Sequence, residues 1–203
     1  MQKHVHDYST KVMNIGIYIY DNAEVLDFSG PFEVFTTASR VCADDEPFNV
    51  FLIGETQNAV WARAGYQVLP HYDISNHPVI DLLIVAGGVP DQELQKPHVL
   101  GWIKNQSDQA QYTASVCTGV FLLGAADVVA THNVTTHWED IPALQKQFPK
   151  LQVHQDVRWV EDGNIFTSAG ISAGIDMSLY LVKMLHSPTL SEKTARQMEY
   201  ETG

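Results

Sequence analysis

The stretch "SVCTGVFLLGAA" (115–126) sets one thiol, Cys117, at the joint between a β-prone run, "YTASV", and an apolar segment of helical character. A strand–residue–helix joint lifts its side chain out of a sheet and aims the unpaired N–H groups of the following helix at it, as in the nucleophile elbow of hydrolases. A thiol so placed feels the positive end of a helix dipole, which favours the thiolate, its nucleophilic form. Gly119 removes side-chain bulk where the backbone turns tightly. The amide of Thr118, with one from the Gly87-Gly88 loop, offers a cradle for a developing anion. Free cysteine is also among the most buried residue types, so "SVCTG" alone leaves open a small hydrophobe with no chemistry.

Other residues become informative only in company. Asp27 alone reads as a loop carboxylate satisfying N–H groups ahead of a helix. Gly87-Gly88 alone is a strand-ending turn, and His137 in "TTHW" alone is a core or rim histidine. Cys42 lies in "SRVCADDE", among acidic neighbours that oppose a thiolate, and reads as structural or incidental. An H-x-H at His4 and His6 falls in a polar stretch, 1–12, expected to be a flexible tail.

Whether these groups meet depends on the elements that carry them. The runs 11–20, 47–54 and 81–88 read as strands, the first and third so continuously apolar that both their faces should be covered. Residues 26–41 read as a helix capped by Ser29 or Gly30, with Pro31 at its first position. Residues 59–74 read as a hairpin or irregular β excursion, and 92–109 as a helix interrupted at Pro97. Beyond Cys117, 133–138 reads as a strand, 140–148 as a helix and 151–170 as strands turning at 161–163. Residues 171–186 read as a buried helix and 187–201 as an amphipathic helix capped by Ser187. Strands alternating with helices predict an α/β three-layer sandwich in one domain, a largely parallel sheet with helices on both faces. Ligands of such a sheet meet the loops beyond the carboxyl ends of its strands, where Asp27, Gly87-Gly88 and Cys117 all fall.

The chain has 203 residues, enough for one sizeable core. Twelve basic against 24 acidic residues give a net charge of -12, which argues against nucleic-acid and anionic-lipid partners. No run approaches the roughly 18 apolar residues of a membrane span, and the N-terminus lacks the apolar core of a secretory signal. Two cysteines in dissimilar surroundings do not suggest a disulfide framework, and a reducing cytoplasm is the expected location.

The segments "LDFSGPFEVF", "IVAGG", "SVCTGVFLLGAA", "TTHW" and "DGNIFTSAGISAGIDMSL", in this order, resemble the DJ-1/PfpI superfamily over about residues 13–200. The resemblance is strongest to its isonitrile (isocyanide) hydratase branch; the same motifs occur in the sensor half of a class of AraC-type regulators. It implies a flavodoxin-like fold and a homodimer, with Cys117 as nucleophile and Asp27 as the acid touching its sulfur. It further implies that Thr118 and Gly88 lend backbone N–H groups to the anion site and that His137 lies near the pocket. Gly87, Trp138, Ile171 and Phe28 are the remaining candidates for the substrate wall.

The activity implied is addition of water to an isonitrile, through a cysteine thioimidate, with no metal or organic cofactor. The branches with protease-like or amidotransferase-like chemistry place a histidine directly after the cysteine, where this chain has Thr118. Glyoxalase and chaperone branches carry glutamate where this chain has Asp27. Both departures count against those activities. The alternatives are a ligand- or redox-sensing module, although the 17 residues after His186 are fewer than a helix-turn-helix unit requires, and a glyoxalase- or deglycase-type activity, which ranks behind the hydratase.

Overall fold

The computed structural model describes residues 12–43 and 46–201. In chain order the strands are β1 (Met13–Tyr18), β2 (Phe48–Gly54), β3 (Val60–Trp61), β4 (Gln67–Val68), β5 (Tyr72–Asp73), β6 (Leu82–Val85), β7 (Tyr112–Val116), β8 (Asn133–Val134), β9 (Gln152–Val153), β10 (Trp159–Asp162) and β11 (Ile165–Ser168). The helices are α1 (Val25–Val41), α2 (Pro97–Gln109), α3 (Gly119–Ala125), α4 (Ile141–Gln147), α5 (Ala173–Leu185) and α6 (Pro188–Gln197).

Seven strands form one sheet in the order β10-β11-β7-β6-β1-β2-β5. Every neighbouring pair is parallel except β10 with β11. The apolar runs predicted to be covered on both faces are so: Ile15, Ile17, Tyr18 and all of β6 are fully buried. On one side α1, α5 and α6 pack on each other; on the other α2 packs on α3. This is the three-layer α/β sandwich expected from the alternation of elements. The chain runs from β1 outward to β2 and β5, then returns to β6 on the opposite side of β1. That reversal makes the carboxyl ends of β1 and β6 a topological switch point, the edge at which sheets of this kind bind their ligands.

Three local readings need correction. Pro31 lies within α1 rather than at its start, because the helix already begins at Val25 after an uncapped Glu24. Asp27 is therefore a first-turn helix residue rather than a loop residue. The strand expected over 133–138 is only the two residues of β8, paired with β9 away from the main sheet. By contrast, Ser187 caps α6 as expected, its Oγ accepting the Leu190 amide at 3.2 Å. His4, His6 and the rest of the predicted tail up to residue 11 lie outside the described residues. No described helix is long and apolar enough to cross a membrane.

Candidate functional site

The β7–α3 joint holds Cys117 at φ +55, a left-handed conformation that a β-carbon makes unfavourable. Neighbouring bonds fix it there. The Cys117 amide donates to the Ser168 carbonyl at 3.1 Å, extending the β7–β11 ladder by one rung. Its carbonyl accepts from Thr136 Oγ1 at 2.9 Å. Gly119 follows because a β-carbon there would lie 2.3 Å from the Val85 carbonyl oxygen, so only glycine lets α3 start this close to β6.

The loops after β1 and β6 are stitched together beside this joint. The Glu24 amide donates to the Gly87 carbonyl at 2.9 Å and the Val89 amide to Asn22 at 3.1 Å. Thr118 ties the second loop to α3: its Oγ1 accepts the Gly88 amide at 2.8 Å and donates to the Gly88 carbonyl at 2.9 Å. Gly88 thus differs from its expected role, because its N–H is engaged by Thr118 rather than free for a bound anion. The Thr118 amide keeps its place beside the Cys117 sulfur, where it favours the anionic form.

Asp27 is fully buried from solvent, and neither carboxyl oxygen completes a hydrogen bond to a described protein group. Its Oδ2 lies 2.6 Å from where a β-carbon on Gly87 would sit, which explains glycine there. Burial and then the charge of Glu24 push Asp27 up to about 7; the Cys117 thiol and the Gly87 amide pull it the other way from short range. Burial and then the charge of Asp27 push the Cys117 thiol up to about 12. The standing thiolate expected from the helix dipole is therefore replaced by a thiol at rest. The reason is that the loss of solvent and the carboxyl beside the sulfur act against the charge more strongly than the Thr118 amide favours it. Tyr20 completes this interior: its buried hydroxyl has no described partner, and burial and Asp27 hold it firmly protonated.

In front of the sulfur lies a cavity of about 230 Å³ lined by Glu24, Arg63, Gly88, Cys117, Thr118, His137, Glu139, Asp140 and Ile171. Ile171 contributes from a strained φ of +52. His137 caps the turn Trp138–Asp140, its Nδ1 accepting the Glu139 amide at 3.4 Å with Asp140 Oδ2 3.6 Å away. Its ring presses on Gly170, where a β-carbon would fall 2.0 Å from Cδ2.

Three proposed wall residues are elsewhere. Phe28 is 3% exposed in the core, Trp138 is 71% exposed outside the cavity, and Gly87 packs on Asp27 behind it. The sequence reading missed Glu24, Arg63, Glu139 and Asp140. Glu24 precedes Asp27 by one helical turn, a signal readable only once the helix start is known. Arg63 reaches the cavity because the β3–β4 excursion folds back, its amide donating to the Ala23 carbonyl at 3.0 Å.

Residues 13–184 match the DJ-1/PfpI family. An isonitrile hydratase of Pseudomonas putida is 33% identical over 190 residues, covering 93% of this chain and 78% of that protein. The HTH-type transcriptional regulator GbdR of Pseudomonas aeruginosa is 28% identical over 93% of this chain, which spans 51% of the regulator. Net charge therefore does not separate this chain from regulators and, contrary to the expectation drawn from it, does not exclude nucleic acid as a partner. Among solved structures, a THiJ/PfpI family protein from Pseudomonas syringae superposes with TM-score 0.85 at 24% identity, covering 100% of this chain and 83% of that one. Drosophila melanogaster DJ-1beta superposes at 0.79 and 18% identity, over 94% of this chain and 100% of its own. The chain belongs to the DJ-1/PfpI family.

Proposed function

We propose that this protein is an isonitrile hydratase-like enzyme converting an isonitrile and water into an N-substituted formamide. The observation that carries the reading is the burial of Asp27 against the one thiol that opens into the cavity. An isonitrile offers an electrophilic terminal carbon and no leaving group, so a soft nucleophile with an adjacent proton carrier is the suitable machinery.

The carboxylate of Asp27 takes the thiol proton as sulfur forms a bond to the terminal carbon. It returns that proton to the same carbon, giving the thioimidate R–N=CH–S–Cys117. Water then adds to the carbon, its proton passing through Asp27 to nitrogen. Collapse of the tetrahedral R–NH–CH(OH)–S species forms the formyl C=O and breaks the C–S bond as Asp27 takes the hydroxyl proton. Sulfur recovers its proton from Asp27, and the balance is one isonitrile plus one water to one formamide. A carboxyl held near neutrality suits both taking and giving the proton. The Thr118 amide supports the sulfur as charge builds there.

The purified chain incubated with alkyl and aryl isonitriles should release the matching formamides, and no formamide from any of them would overturn the proposal. The homodimer implied by the family resemblance belongs to the same proposal and is read by sedimentation. A sensing role has one observation in its favour, the 28% identity to a regulator across 93% of this chain. Tight binding of a metabolite without turnover would favour that role over catalysis.

A further inference from the structure

The charged groups around the sulfur are unevenly divided. Among the described residues, the cavity walls carry three carboxyl groups, Glu24, Glu139 and Asp140, against one guanidinium, Arg63, and the imidazole of His137. Arg63 is already matched, its Nε 3.6 Å from Glu24 Oε2. That leaves Glu139 and Asp140 with His137 as their neighbour, its Nδ1 4.0 and 3.6 Å from their carboxylates. Behind the sulfur sits a further acid, Asp27, fully buried and with both oxygens unpartnered among the described groups. The negative field of Asp27 and Asp140 reaches the sulfur itself. A cleft walled by one sign of charge concentrates ligands of the other sign and excludes its own.

We propose that this pocket selects substrates bearing a cationic group, such as an ammonium-substituted isonitrile, and rejects carboxylated ones, with Glu139 and Asp140 as the discriminating residues. The substrate named here rests on the isonitrile reading of the same site, whereas the preference for positive charge belongs to the pocket whatever its reaction. A cation beside Asp140 offsets the charge that opposes ionisation of the thiol, so binding and activation of sulfur act together. A carboxylate would add another negative charge to a wall whose single guanidinium is already matched by Glu24.

The test uses three methanethiosulfonates on the full-length protein: a trimethylammonioethyl, a sulfonatoethyl and an uncharged methyl reagent. Each transfers its thio group to Cys117, forming a disulfide and releasing methanesulfinate; peptide mass mapping separates this site from Cys42. Rates are normalised to those of the same reagents with a small free thiol. At low ionic strength the cationic reagent should react roughly tenfold or more faster than the anionic one. Added salt should compress that ratio, and Glu139→Gln with Asp140→Asn should lower it further. A normalised ratio of one or below, or one that neither salt nor the double variant moves, overturns the inference. The same comparison with ammonium- and carboxylate-bearing isonitriles reads formamide release. A cationic preference at Cys117 with no formamide from any isonitrile would sustain the charge selection and remove the isonitrile. Turnover of all isonitriles regardless of charge would do the reverse.

Discussion

Thr118 Oγ1 holds Gly88 by both ends of its backbone, accepting the amide at 2.8 Å and donating to the carbonyl at 2.9 Å. One hydroxyl thereby locks the β6 loop against the first turn of α3. Replacing Thr118 by Val keeps the shape and removes both bonds, leaving a part-buried N–H and C=O unpaired. The expected loss is about 1–3 kcal/mol of stability by denaturant titration. Thr118→Ser retains the hydroxyl and should recover most of it. Equal losses for Val and Ser would show that the methyl group, not the clamp, matters.

The mutual influence of Asp27 and Cys117 on each other's ionisation should govern reactivity with a neutral alkylating agent. Asp27, pushed up to about 7, is a base only above that pH, and the thiol, pushed up to about 12, ionises alone only far higher. Alkylation of Cys117 by iodoacetamide should rise through about pH 7, level off, and rise again in strong alkali. Because the groups interact, the lower step belongs to the pair. Asp27→Asn should erase that step. A step surviving unchanged in the Asn variant would remove Asp27 from the account.

The same buried carboxyl should destabilise the fold near neutrality. Between its ordinary 3.8 and about 7, native Asp27 keeps a proton that the unfolded chain has released. The stabilisation linked to that proton is therefore complete below the ordinary value and lost as pH rises through about 7. Asp27→Asn should raise the melting temperature at pH 8, by an equivalent of at most about 4 kcal/mol, with the gain shrinking towards pH 4. A variant less stable than the parent at pH 8 would contradict the burial cost.

Gly87 leaves no room for a side chain. A β-carbon there would meet Asp27 Oδ2 and the Thr118 amide nitrogen at 2.6 Å and the Val116 carbonyl oxygen at 2.7 Å. Gly87→Ala should cost about 1–3 kcal/mol and slow Cys117 alkylation, since the atoms displaced are those that set the sulfur. Gly101 is exposed in α2 with nothing within 4 Å of its β-carbon position. Gly101→Ala should instead stabilise by up to about 1 kcal/mol. Thermal melts of both, with the alkylation rate, check the contrast.

Most of the scaffold was legible because its signals are local. The apolar continuity of 81–88 marks β6 as covered on both faces, and Ser187-Pro188 marks the start of α6. Strand alternation places Gly87 and Cys117 just beyond the carboxyl ends of the adjacent parallel strands β6 and β7, whereas Asp27 joins them from the first turn of α1. What failed depends on tertiary distance. Trp138 and Phe28 have the right types for a pocket wall, but one points to solvent and the other into the core. The ionisation of Cys117 follows from burial and a neighbouring carboxyl, neither of which a strand–helix joint reveals. Arg63 enters the cavity through the docking of a short irregular β excursion that carries no periodic signal of its own.

Intact-mass spectrometry of protein quenched during turnover tests most directly whether sulfur at 117 attacks the substrate and is then released with help from residue 27. The wild type should carry a minor species heavier by the mass of one isonitrile, mapped to Cys117. Asp27→Asn should slow formamide release at least tenfold, roughly the low end of what general acid–base help supplies. Formamide release by Cys117→Ser at the wild-type rate, or an adduct mapped to Cys42 instead, would contradict the account.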